Sequence, residues 1–267
     1  MSPHLDTFRP DLSGTWHQAQ DGACRVQAGL RFAHWRLDAE AQAVRRLPLA
    51  ALSPDELAVL ARQHASAGMV QIEAHPEGEL AHWLRRTDFQ PPTLHPWAGW
   101  LMFVAHRQFI EVDAEDAASQ VWQRQAVDDL TPEQVWCLAG LDADGHDDGR
   151  VLMAAGDARV YLRPRQARWP AGMTPGLSLV DVLLHDPQRA LEWLDHEQSL
   201  AVMDGRSHAR VALSTLPERV GQRLPCTVHT EPGGRLAHVC WGAERGLWRV
   251  LEAGEPWPMA GRPPGPT

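Results

Sequence analysis

Apolar and polar residues alternate with a period of two over most of this chain, in runs of strand length. The alternation predicts strands or strand pairs over 12–19, 22–36, 68–74, 79–89, 98–104, 107–113 and 118–125. It resumes over 134–141, 150–155, 158–163, 198–204, 208–214, 224–230, 235–241 and 246–252. Asp21-Gly22, Pro76-Glu77-Gly78, Asp144-Gly145, Asp204-Gly205 and Pro232-Gly233-Gly234 supply turns between these runs. Many short strands at such spacing point to sandwiches or barrels rather than a parallel sheet. Helices are few. Ser53-Pro54-Asp55-Glu56 reads as a capping box with proline at the first helical position. Leu57, Leu60, Ala61 and His64 then share a face, with Gly68 placed to end the helix. A counterpart starts near Ser178, and another at Asp186-Pro187 with Leu191 and Leu194 as its apolar pair.

The second half echoes the first. Cys24-Arg25-Val26 returns as Ala158-Arg159-Val160, and 48–71 returns as 177–202. The strand 81–92 parallels 209–221, and Val121-Trp122-Gln123-Arg124 parallels Leu247-Trp248-Arg249-Val250. The offsets run from 126 to 134 residues and keep one order, as a duplication with small insertions would give. The expected domains are 10–127 and 128–253, each with one helical insert, joined near Thr131-Pro132-Glu133-Gln134. The stretch 254–267 is rich in Pro and Gly and reads as a disordered tail.

Several short motifs resemble an uncharacterised bacterial lipocalin-like family, itself similar to a fungal family of two-barrel lipocalin-like proteins. They include Asp88-Phe89-Gln90-Pro91-Pro92, Val121-Trp122-Gln123-Arg124, Trp83, Arg85, Glu111, Arg163-Pro164-Arg165 and Ser214-Thr215-Leu216-Pro217. Gly14-Thr15-Trp16 also looks like the lipocalin GxW signature. The resemblance implies a mainly β chain of two tandem antiparallel barrels, and carries no established activity. The chain departs from it at 113–119, where relatives place a tyrosine and this sequence has none.

Composition narrows the function classes. With 44% hydrophobic and 22% charged residues the chain suits a folded globular protein, and a net charge of -9 disfavours nucleic acid and anionic membranes as partners. Lysine and asparagine are absent, which removes Schiff-base and phosphate-loop lysine chemistry. No apolar run reaches membrane-spanning length, and Met1 to Pro10 has no signal-peptide pattern, so the cytoplasm is the expected location. The 4 cysteines form no CxxC pair and read as buried thiols. The 14 histidines show no HxH, HxxxH or HExxH, so neither metal nor cofactor is expected.

Candidate chemistry lies on the strand from His82 to Gln90. Strict alternation puts Trp83, Arg85, Thr87 and Phe89 on one face and His82, Leu84, Arg86, Asp88 and Gln90 on the other. An Arg85 inside a barrel would need a carboxylate or a ligand anion, or would stack on Trp16 or Trp122 as a structural cap. Asp88 reads as a turn-capping carboxylate. Among 12 tryptophans, Trp97 and Trp100 fall on a Pro-rich loop suited to a pocket mouth, and Trp83, Trp122 and Trp248 suit a barrel interior. In the second half an inward Glu197 is expected to face Arg163 or Arg210 as a buried ion pair, with Ser199 beside it. The candidate ligand-binding set is therefore Trp83, Arg85, Asp88, Trp100, Trp122, Arg163, Glu197 and Trp248. The favoured reading is a cytosolic binder of a small apolar or amphipathic ligand. The alternatives are an interaction scaffold with filled barrels, and a cofactor-independent isomerase or hydratase drawing on His82, Asp88, Glu111 and Glu197.

Overall fold

The structure is a computed structural model that describes residues 12–18, 20–76, 78–93, 97–105, 107–125, 130–169 and 176–253. The first eight strands form a closed antiparallel barrel in sequence order. They are β1 (Gly14–Gln18), β2 (Cys24–Ala28), β3 (Arg31–Arg36), β4 (His64–His75), β5 (Gly78–Asp88), β6 (Trp97–Ala105), β7 (Gln108–Asp113) and β8 (Ser119–Arg124), with β8 returning to pair with β1. Helices α1 (Ala39–Ala43) and α2 (Pro54–Leu60) fill the β3–β4 connection. The Ser53 hydroxyl accepts from the Glu56 amide while the Glu56 carboxylate accepts from the Ser53 amide, so the capping box starts α2 as expected.

Helix α2 is shorter than the sequence pattern suggests. It stops at Leu60, and β4 begins at His64, so neither His64 nor Gly68 belongs to a helix end. Gly68 instead lies inside the sheet, where a Cβ would stand 2.0 Å from the Leu84 carbonyl oxygen. It faces a bulge in β5: Ala67 pairs with Thr87 and Gly68 with Arg85, leaving Arg86 as the extra residue. Trp97 and Trp100, placed on a loop from the sequence, are strand residues of β6.

The second barrel repeats the plan with β9 (Val135–Leu141), β10 (Asp147–Ala155), β11 (Ala158–Arg163), β12 (Glu197–Met203), β13 (His208–Ser214), β14 (Arg223–Thr230), β15 (Leu236–Trp241) and β16 (Glu244–Ala253), closed by β16 on β9. Helices α3 (Leu179–His185) and α4 (Ala190–Leu194) occupy the β11–β12 connection, as α1 and α2 occupy β3–β4. The bulge recurs: Leu200 pairs with Leu213 and Ala201 with Val211, leaving Ala212 extra in β13. Matching strand to strand sets Ser66 against Ser199, Asp88 against Ser214 and Trp122 against Trp248. One echo in the sequence is shifted by a strand, since Cys24–Ala28 is β2 and Ala158–Arg163 corresponds to β3. The boundary at 127/128 and the tail 254–267 lie outside the described residues.

A shared apolar seam joins the barrels. Cys24, Val26, Ala33, Trp35 and Phe89 pack with Cys137, Met153, Val160, Leu162, Leu179 and Trp193 in one cluster. Polar clasps cross it. Gln198 accepts from the Trp35 indole at 3.0 Å through its carbonyl and donates its side-chain amide to the His34 carbonyl at 2.9 Å. The Gln90 side chain accepts from the Leu179 amide at 2.9 Å, and Arg165 donates to the Phe89 carbonyl. Arg86, the bulged residue, pairs with Asp147 at 2.9 Å.

His196 is the costly member of the seam. Its ring is fully buried, meets Phe89 edge-on at 5.8 Å, and neither nitrogen has a partner among the described residues. Burial, and then the positive charges of Arg165 and Arg163, push its pKa down to about 3. The unfolded chain therefore takes up a proton near pH 6.5 that the folded chain refuses, and stability is lost as pH falls below that value. A single such proton gives a slope of about 1.4 kcal/mol per pH unit. His196→Gln, which installs the residue found at the matching position Gln63, is expected to make urea-unfolding stability between pH 6.5 and pH 4.5 shallower by about that slope. Parallel pH profiles for the two proteins would remove His196 from the account.

Candidate functional site

Cross-strand neighbours in a sheet point to the same side, so the register identifies what fills each barrel. In the first barrel one row runs Trp16, Arg25, His34, Ser66, Asp88 from β1 to β5. A second runs Val70, Trp83, Trp97 from β4 to β6. Trp16, Arg25, Trp83 and Trp122 are buried almost completely, which fixes these rows as interior.

Arg25 is the floor of this interior. Its Nη2 donates to Glu111 Oε2 at 2.9 Å, and Glu111 Oε1 accepts from the Trp83 indole at 2.7 Å. The guanidinium carbon lies 3.8 Å from the Trp83 ring centre and 4.1 Å from that of Trp122, with Trp97 at 5.1 Å. Three indoles and one carboxylate thus replace the water that this cation has lost. Arg25 Nε and Nη1 and the Trp122 indole nitrogen are buried without an acceptor among the described residues. Burial pulls the Arg25 pKa down and Glu111 pulls it back, and a guanidinium stays charged under both. His34 lies beside it, 5.2 Å from Trp97 and 5.9 Å from Trp122 ring to ring. Burial first, and Arg25 second, hold its pKa well below 6.5, so the imidazole is neutral.

His34, Trp97, Arg85 and Asp88 are all partly exposed. The bulge at Arg86 exchanges the faces of β5, which brings Arg85 and Asp88 to the same side, 2.7 Å apart. Asp88 also accepts from the Gln90 amide at 3.0 Å, the turn-capping role expected of it. Burial raises its pKa to about 6 despite Arg85 and that amide. Arg85 further donates to the Thr93 hydroxyl at 2.5 Å. The opposite end is closed by Trp16, whose indole donates to the Leu12 carbonyl at 2.7 Å, with Arg124 over its ring at 5.8 Å. Stacking on Trp16 and Trp122 therefore falls to Arg124 and Arg25, not to Arg85.

In the second barrel Leu152 and Val239 take the places of Arg25 and Glu111, and Tyr161 takes that of His34. Arg150 and Glu244 of this barrel are partly exposed and meet the buried Tyr161. The Tyr161 hydroxyl donates to Glu244 at 2.7 Å, Arg150 donates to the same carboxylate at 3.0 Å, and Trp248 lies 6.4 Å from the Tyr161 ring. Glu197 is buried, but its cation is Arg219 at 3.0 Å, with the Ser199 hydroxyl donating to it at 3.0 Å. Arg163 pairs with Asp195 at 2.6 Å and Arg210 with Asp204 at 3.5 Å, so neither makes the expected ion pair with Glu197.

Of the candidates named from sequence, Trp83, Trp122, Arg85 and Asp88 gather in the first barrel. Trp248, Glu197 and Arg163 belong to the second. Trp100 faces outward, with the His75 ring at 5.4 Å, and is not at a pocket mouth. His82 lies 3.7 Å from Glu73 and does not meet Asp88, so that acid–base pair is not assembled. His95 and His106 lie outside the described residues. Arg25 and His34 were not distinguished by the sequence pattern. Among the described residues Asp142, Asp144 and His146 bring possible metal-ligand atoms within 4.8 Å of one another, on an exposed hairpin turn whose amides Asp142 already accepts. The chain matches no family model, no curated protein and no solved structure.

Removing one partner of a buried ion pair strands the other, at a cost of about 3–5 kcal/mol. Arg25→Leu is expected to destabilise the chain by that amount in denaturant unfolding. Arg25→Leu with Glu111→Val reproduces the second barrel's residues and is expected to recover most of the loss. A double variant no more stable than the single one would show that the pair does not act as a unit.

Proposed function

We propose that the chain is a cytosolic, lipocalin-like protein that holds a small amphipathic ligand in the mouth of its first barrel. The observation that carries this reading is the Arg25–Glu111 pair, buried beneath a partly exposed rim of His34, Trp97, Arg85 and Asp88. The matching slots of the second barrel hold Leu152 and Val239, which close a barrel without desolvating charge. A buried ion pair adds little stability over apolar residues of similar volume, so packing alone does not account for it. In this reading the indoles receive the apolar body of the ligand, and Arg85 receives its anionic or acceptor group. The eight-stranded up-and-down order is compatible with the lipocalin-like resemblance.

Intrinsic tryptophan fluorescence tests the proposal through titration with fatty acids and aromatic acids. A saturable change is expected with at least one class, weakened about tenfold or more in Arg85→Ala. Asp88 loses its charge below about pH 6 and then ceases to neutralise Arg85, so a carboxylate ligand is expected to bind more tightly at pH 5 than at pH 7.5. A silent titration across the panel would favour the scaffold reading, in which Trp16, Phe109 and Trp122 simply fill the barrel.

A further inference from the structure

A cleft of about 100 Å³ lies between the helices of the first half and the end of β13. Leu37, Ala41 and Val44 line one side, and Leu213, Pro217 and Val220 line the other. Liquid water takes about 30 Å³ per molecule, so the space holds about three waters or a molecule of a few carbons. The apolar walls favour the carbons. Four polar side chains also line the cleft, and two of them are spent. Gln42 Nε2 donates to the Leu37 carbonyl at 2.9 Å. The Ser214 hydroxyl bonds that of Ser199 at 2.9 Å and accepts from the Leu216 amide at 3.1 Å. The other two are Gln63 and Arg46. Gln63, between α2 and β4, is 2% exposed, and its Oε1 is buried with no hydrogen-bond partner among the described residues. A native fold rarely keeps a buried acceptor unmet without a use for it. Arg46 is exposed, and its Nη1 lies 3.0 Å from where a Cβ on Gly221 would stand. It makes no ion pair among the described residues, whereas Arg45 pairs with Glu56, Arg62 with Glu40 and Arg219 with Glu197. Glu218, next to Pro217, neither lines the cleft nor pairs with Arg46. The reciprocal junction, where the helices of the second half meet the end of β5, is clasped instead: Gln90 accepts from the Leu179 amide and Arg165 donates to the Phe89 carbonyl.

We propose that this cleft binds a short aliphatic hydroxy acid, at a site separate from the mouth of the first barrel. The carboxylate pairs with Arg46, the hydrocarbon lies between the apolar walls, and the hydroxyl donates to Gln63 Oε1. Exposure sets that order, with the cation at the outside and the unmet acceptor at depth. A hydroxyl suits the inner position better than an ammonium. The amide is neutral, and no carboxylate lines the cleft among the described residues to offset a buried positive charge.

Isothermal titration calorimetry of the full chain tests this with 2-hydroxyisovalerate and with isovalerate, the same acid without its hydroxyl. The hydroxy acid is expected to bind with a dissociation constant below about 1 mM, and isovalerate about tenfold or more weakly. Gln63→Leu is expected to erase the difference between the two acids. Arg46→Ala, at an exposed position, is expected to weaken both about tenfold or more, while Arg85→Ala leaves both unchanged. If Gln63→Leu fails to fold, the comparison of the two acids and the Arg46→Ala result still decide. No saturable heat with the hydroxy acid up to about 10 mM overturns the proposal, as does equal affinity for the two acids or binding that survives Arg46→Ala. Binding lost in Arg85→Ala but kept in Arg46→Ala also overturns it and places the acid in the first barrel.

Discussion

A closed antiparallel sheet gives every strand one inner and one outer face, and a single inserted residue exchanges them. That constraint organises this molecule. In each barrel the strand after the long hairpin or its counterpart carries one extra residue, Arg86 in β5 and Ala212 in β13. Before the bulge, Trp83 and Arg85 face the interior; after it, Asp88 does. The pairing of Arg85 with Asp88 depends on this exchange, since strict alternation would hold them on opposite sides. Gly68 is the local enabler, because any side chain there would run into the Leu84 carbonyl.

The strands were legible because their turns are marked and their periods are clean. The start of β4 was not, because Ala65, Ser66, Ala67 and Gly68 are small residues that carry no alternating signal after a well-capped helix. Arg25 escaped notice for a different reason. In β2 all five residues are buried, Cys24, Val26 and Ala28 by the seam and Arg25 and Gln27 by the barrel interior. The apolar face is thus the outer one, the reverse of what alternation suggests for a strand with solvent on one side. Ion-pair partners were also beyond reach. Glu197 was assigned by strand adjacency, whereas its cation, Arg219, arrives from the connection after β13.

The two barrels share a plan and differ in where they place charge. The first buries an arginine and a glutamate among indoles and leaves a neutral imidazole beside them. The second pairs Arg150 with Glu244 where both are partly exposed, buries Glu197 against Arg219, and fills its depth with Leu152, Tyr161, Trp241 and Trp248. Each half therefore satisfies the same closure requirement with a different electrostatic interior. The seam makes neither half independent, since Trp35, Gln90 and Gln198 spend hydrogen-bonding groups across it.

Cys24 and Cys137 both lie in that seam, and burial pushes the Cys24 thiol up to about 12. A thiol held protonated and covered is inert to alkylating reagents until its cover lifts. The junction therefore contains its own chemical clock: the rate at which these two sulfurs become reactive in the native protein reports how often the barrels part, and how much of the molecule must come undone for them to do so.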